Sequence, residues 1–272
     1  MNKRARAALS LLSLLLCAII VLTGCGKVDI GKLPAVKKLQ DKGAIRVAVS
    51  AELQGLCQAD KAGNLTGMEP EIARYIAEQV YGGSKQVDFF NMDAKVTGPK
   101  LDTGAVDMII AGFQSTDTRK TKYELSKPYY TDHLAMLVKV GTPLALFGQM
   151  EGKRIGYIAG SGADIIIKAE AVKYNMNISA VPCGSYDEAR NELLKGDIDV
   201  LCAKWTALRK VADKNTVMLE ERIGKLDYCI ACKLGNKDML NLANAVVDDM
   251  QKKGMIKNLI QQWGLEDTAV KK

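Results

Sequence analysis

Residues 104–130 read GAVDMIIAGFQSTDTRKTKYELSKPYY. After the turn glycine Gly104 comes an apolar run, residues 106–111, bounded by turn signals; this is the pattern of a short buried strand. The run stops at Gly112. A polar loop follows over residues 114–118, and Arg119 then opens a Lys/Arg-rich segment with the length of a short helix. In an α/β protein, ligands sit outside the carboxyl ends of the strands. A guanidinium just past such an end is suited to a carboxylate, because its planar fork makes two parallel hydrogen bonds.

Strand-like and helix-like patterns alternate on either side of this stretch. Residues 45–50 read as the first strand, and residues 51–64 as a loop. Residues 72–80 repeat apolar positions at helical spacing, with Pro70 as a start signal. Residues 87–90 read as a second strand. Downstream, strands are expected at 134–140, 153–158, 199–203 and 227–232, with helices at 163–174, 185–195 and 239–260. Such alternation predicts an α/β fold. Gly160-Ser161-Gly162 precedes the 163–174 helix, where free N–H groups and the dipole can hold an anion. The same residues also suit an ordinary glycine-rich turn capped by Ser161, and chemistry alone does not separate the two.

The chain has 272 residues, enough for two domains with separate cores. The first 24 read as a signal peptide. Lys3, Arg4 and Arg6 form a positive start, and an apolar run over residues 7–22 follows. That run is short against the ~20 residues of a membrane span. Leu22-Thr23-Gly24-Cys25 resembles the ending of a bacterial lipoprotein signal, which makes Cys25 the expected lipidation site. The formal net charge is +7, and three of those charges fall in the leader. The remaining excess is mild and dispersed, and aromatics are 6% of the chain; no basic–aromatic stripe points to nucleic acid.

Seven cysteines are present. Without Cys17 and Cys25, five remain, so at least one is unpaired within the chain. Cys229 and Cys232 are spaced as CxxC, but on a strand they face opposite sides. With His133 as the single histidine, no metal site is expected, and the cysteines read as small buried hydrophobes.

The opening stretch also resembles the amino-acid class of solute-binding proteins of ABC importers. The resemblance rests on Gly104, Asp107, Thr116, Arg119, Ser126, Pro128, Tyr129 and Tyr130 and extends over residues 42–265. It implies a two-lobed α/β fold, mixed sheets flanked by helices, with a two-strand hinge near residues 130–134 and 225–229. Residues 25–40 would be a lipid-anchored linker, 41–132 plus 230–267 a discontinuous first lobe, 133–229 the second lobe, and 268–272 a tail. Ala94-Lys95 and Gly98-Pro99 are nearest to the family's acidic-amino-acid subgroup, whose arginine falls on Thr97.

The resemblance also implies a ligand site and its departures. Arg119 would clamp the ligand's carboxylate, with Gly112 and Gln114 from the preceding loop, Ser161 and Gly162 from the second lobe, and Tyr228. Leu53 and Leu56 stand where the family stacks aromatics on the ligand. Lys204 stands where the family has an aspartate for the ligand's α-ammonium, and two like charges buried together are costly. Three readings stay open. The ligand lacks an α-amine and lies between Arg119 and Lys204; or Glu52 or Asp227 replaces the aspartate; or Lys204 points to solvent. Trp205 reads as a pocket wall or a core residue.

The function implied is capture of a small polar carboxylate, an amino acid or a related compound, by a lipid-anchored monomer. The receptor would deliver it to the permease subunits in the membrane without chemistry or cofactor. An enzyme on the same fold, such as a prephenate- or arogenate-type dehydratase with His133 as base, is the alternative. A ligand sensor is a third.

Overall fold

The structure is a computed structural model. It describes residues 28–91 and 94–266, without the side chains of residue 52 and residues 94–97. The expected signal peptide, the lipidation site Cys25, the tail and the side chains of Glu52 and Thr97 lie outside the described residues.

Among the described residues there are twelve strands: β1 (Ile45–Val49), β2 (Glu52–Leu53), β3 (Cys57–Ala59), β4 (Leu65–Thr66), β5 (Val87–Asn91), β6 (Met108–Ile109), β7 (Tyr123–Lys139), β8 (Arg154–Ile158), β9 (Ser179–Cys183), β10 (Val200–Lys204), β11 (Thr216–Met218) and β12 (Ile223–Lys233). Nine of them form one sheet in the order β5-β1-β6-β12-β7-β10-β8-β9, with β11 on β7; β2, β3 and β4 make a small antiparallel sheet.

The large sheet contains one arrangement twice. In β5-β1-β6 the strands run parallel, and helices Met68–Tyr81 and Ala94–Asp102 make the crossovers. In β9-β8-β10 the strands are again parallel, with helices Ala163–Lys173 and Tyr186–Lys195 between them. In each set the strand order reverses beside the first strand, so each has a switch point at its carboxyl end.

The two sets are joined by β7 and β12, which pair antiparallel. β7 is 17 residues long, or roughly 55 Å when extended. It starts beside the first set and ends beside β10 and β11. Register shifts in the β7–β12 ladder fall between Ile223 and Leu226, Tyr228 and Cys229, and Cys229 and Ala231. Irregular pairing bends the strands there, within the stretch where a two-strand hinge is expected.

The sequence places three other segments differently. Residues 51–64 are expected to be a loop, yet β2 and β3 lie within them and pair as a hairpin. Residues 25–40 are expected to be a linker, yet a helix spans Pro34–Gln40 with Ala35, Val36 and Leu39 buried. Pro34 begins that helix at its first position, where its missing N–H costs nothing. The single helix expected at 239–260 is two, Lys237–Lys252 and Met255–Gln262, because Gly254 adopts φ +71° between them.

Candidate functional site

Both switch points face the same cleft. From the first set come the residues after β1 and β6: Ser50, and the loop through Gly112 to Arg119. From the second come the loop after β8, with Ser161 and Gly162, and the end of β10, Lys204. One small cavity of about 60 Å³ is lined by Gly112, Phe113, Arg119 and Lys204 together with Ser50, Ile109 and Ala111. A second, about 10 Å³, runs between Gln114 and the Ser161–Gly162 turn, again beside Lys204. Lys204 therefore stands where the two meet.

Arg119 is placed by its helix. Asp117–Lys120 is a single turn whose cap, Thr116, accepts the Arg119 N–H at 3.2 Å. The guanidinium lies 4.2 Å from the centre of the Phe113 ring and donates to the Gln114 carbonyl at 3.1 Å. Phe113 is braced in turn by an edge-on contact with Tyr123. Among the described residues no carboxylate pairs with Arg119, and burial lowers its pKa. An aromatic floor and one carbonyl fix the plane and leave other N–H groups for a ligand.

Gly112 lines the first cavity and Gln114 the second, but Gly112 is not free to serve a ligand through its backbone N–H. Its N–H donates to Glu69 Oε1 at 2.6 Å, so the backbone donor expected for a ligand is already engaged. Ser161 and Gly162 line the second cavity. Gly162 takes φ +77° and starts the Ala163–Lys173 helix, and the Ser161 hydroxyl accepts the Ala163 N–H at 3.3 Å. The turn is thus both a cap and a cleft wall.

Two expected ligand residues are not cleft surface. Leu56 has no exposed area and packs in the core; the carbonyl of Leu56 accepts the Glu69 N–H. It is Leu53 that approaches Gly112. Tyr228 is also fully buried. Its ring lies 5.1 Å from Lys204 Nζ, and its hydroxyl donates to Asp132 Oδ2 at 2.8 Å, so it supports the cleft from behind. Trp205 is a core residue under Arg209.

Lys204 is half-buried. Burial lowers its pKa, and nearby Asp132 pulls it back up. Among the described residues, Lys204 Nζ has neither an ion-pair nor a hydrogen-bond partner. Asp227 does not take that part, since it accepts from Thr131 at 2.7 Å and pairs with Lys225 at 3.0 Å.

Two buried acids near Lys204 were not singled out from sequence. Asp132, 1% exposed, accepts from the His133 N–H, the Thr206 hydroxyl and the Tyr228 hydroxyl at 2.8, 2.6 and 2.8 Å. Burial raises its pKa against those bonds. Glu69, with no exposed area, accepts from Gly112 and from Tyr129 at 2.6 Å each, and among the described residues its Oε2 has no partner. Burial pushes Glu69 up to about 7. Asp132 lies just ahead of the strand expected at 134–140, outside its apolar pattern, and Glu69 was hidden because acids are ordinary in a first helical turn.

The remaining cysteines, Cys57, Cys183, Cys202, Cys229 and Cys232, are all free and buried. Burial pushes Cys57, Cys202 and Cys232 up to about 12, which leaves them protonated and inert.

Comparison with known proteins decides the family. The family of bacterial extracellular solute-binding proteins, family 3, matches residues 45–266. The chain belongs to that family. It is 28% identical to the ABC transporter glutamine-binding protein GlnH of Bacillus subtilis, over 96% of this chain and 98% of that protein. It is 25% identical to the L-cystine-binding protein TcyJ of Escherichia coli K12, over 84% and 85%. Among solved structures, an ancestral arginine-binding protein bound to glutamine aligns with TM-score 0.68 at 27% identity, covering 82% of this chain and 99% of that one. The solute receptor for L-cysteine of Neisseria gonorrhoeae, at 23% identity and TM-score 0.71 over 85% of this chain and 93% of that one, shares the two-lobed fold. Among the described residues, no helix is long and apolar enough to cross a membrane.

Proposed function

We propose that this chain is the solute receptor of an ABC importer. It captures a small polar carboxylate, an amino acid or a related acid, between lobe 1 (residues 41–132 plus 230–267) and lobe 2 (133–229), and delivers it to the membrane permease. The receptor works as a monomer held to the membrane through Cys25. The observation that carries this reading is Arg119: a guanidinium backed by Phe113, unpaired among the described residues, at the meeting point of two switch points. Ligand bridging the cleft would hold the lobes closed about the β7–β12 bends, and the closed form would be what the permease reads. Binding without turnover is favoured by the place of His133, which lines neither cavity.

Calorimetric titration of the full chain in mild detergent with amino acids and related carboxylates tests this. Saturable binding that Arg119→Ala removes is expected. Binding that survives Arg119→Ala, or no binding by any carboxylate, would overturn it.

A further inference from the structure

The charges around the cleft are unevenly placed. Two cations, Arg119 and Lys204, line one cavity of about 60 Å³. No carboxylate is among the residues that line it or the cavity beside Gln114. The nearest acids lie behind the wall: Asp132 is 1% exposed, and Glu69 has no exposed area. Asp132 already holds three donors, and one Glu69 oxygen holds two. Asp132 supplies negative potential to Lys204 through the protein, without reaching into the cleft.

That layout leaves the donors of Lys204 uncommitted. The ammonium rests 5.1 Å from the Tyr228 ring centre. Tyr228 is in turn fixed through its hydroxyl on Asp132. An ammonium carries three N–H donors, and among the described residues none of those on Lys204 meets an acceptor. A ligand ammonium placed here would face two positive charges and no carboxylate on the cavity wall. A ligand oxygen would meet donors from both sides.

We propose that the cleft selects small carboxylates that carry no ammonium group, the carboxylate on Arg119 and a second oxygen-bearing group, such as another carboxylate or a keto oxygen, on Lys204. The inference rests on the reading of this cleft as a solute site. It gives that site a selectivity that amino-acid receptors do not share. Glu69 and Tyr228 act as positioning residues: they hold Gly112 and Lys204, not the solute.

The test is calorimetric titration of the full chain in mild detergent with matched pairs: succinate against aspartate, 2-oxoglutarate against glutamate, pyruvate against alanine. In at least one pair the amine-free acid is expected to bind tenfold or more tightly than its amino partner. Lys204→Met should then weaken that acid tenfold or more and narrow the gap. Preference of the unaltered protein for the amino partners would overturn the inference while leaving the receptor reading intact. Amine-free acids that bind Lys204→Met as tightly as the parent would also overturn it. No binding by either member of any pair would overturn both readings. Should Lys204→Met fail to fold, judged by its thermal transition, the paired titration of the unaltered protein still decides.

Discussion

Arg46 with Asp107 and Arg154 with Asp199 are the same device in two settings. In each, the arginine opens a parallel strand and the aspartate closes a Gly-x-x-Asp turn, Gly104 to Asp107 and Gly196 to Asp199. In each, the backbone N–H and Nε of the arginine donate to Oδ2 and its Nη2 to Oδ1, at 3.0, 3.1 and 2.9 Å in the first and 2.8, 3.2 and 2.9 Å in the second. The aspartate N–H returns to the arginine carbonyl in both. Their surroundings differ. The Asp107 side chain is 5% exposed and also holds Lys42, while that of Asp199 is 31% exposed. Water screens the second pair and competes for its bonds. One clamp can therefore carry two stabilities, and burial sets which.

The largest expected effect tests how deeply the first half is buried. Leu56→Ala removes a fully buried side chain and should cost about 4 kcal/mol of stability, read by urea denaturation. A loss under about 1 kcal/mol would return Leu56 to the cleft surface. Arg119→Ala carries the comparison to the ends of the strands, where the halves diverge into Arg119 and Lys204. It should cost about 3 kcal/mol of ligand binding, measured by titration, with little change in melting temperature.

Glu69 sharpens the same contrast through pH. Its folded pKa, about 7, lies above the ordinary carboxylate value, so the folded state keeps a proton that the unfolded chain has released. Its contribution to stability is full below about pH 4.5 and is lost as pH rises through about 7, on the order of 3 kcal/mol. Glu69→Gln should then match the parent near pH 4.5 and exceed it by that order at pH 8, in denaturation at both values. A parallel pH dependence in the two proteins would show that Glu69 is not buried as an acid.

The smallest effects compare the two clamps directly. Burial raises the Asp107 carboxyl, but the bonds from Arg46 and Lys42 outweigh it and hold its pKa low; the Arg154 bond does the same for Asp199. Both contributions are present above the ordinary carboxylate range and are lost as pH falls through the lowered values. At pH 7, Asp107→Asn should cost about 2 kcal/mol and Asp199→Asn under about 1 kcal/mol. Equal losses would mean that exposure does not separate the two clamps.

The α/β class, most strands and the position of Arg119 past a strand end were legible because periodicity, turn glycines and Gly-x-x-Asp are local signals. The 106–111 run did form a strand, although only Met108–Ile109 pairs as one, and Thr116 caps the turn that holds Arg119. The helix at residues 34–40 was missed because its burial is tertiary: its apolar face is short and meets partners from distant parts of the chain. Gly254 broke a helix whose apolar spacing runs through the break.

Spacing alone thus determined which residues sit at the ends of strands, because the distance from turn to strand end is fixed along the chain. It could not determine which way those residues face or what stands behind them. Leu56 and Leu53 both went to the core, Leu53 against Gly112. Asp132, on β7, meets Lys204 and Tyr228 only because β7, β10 and β12 pair across large sequence separations. The charge of the cleft is decided there, since an electrostatic field depends on distance in space, and folding sets that distance.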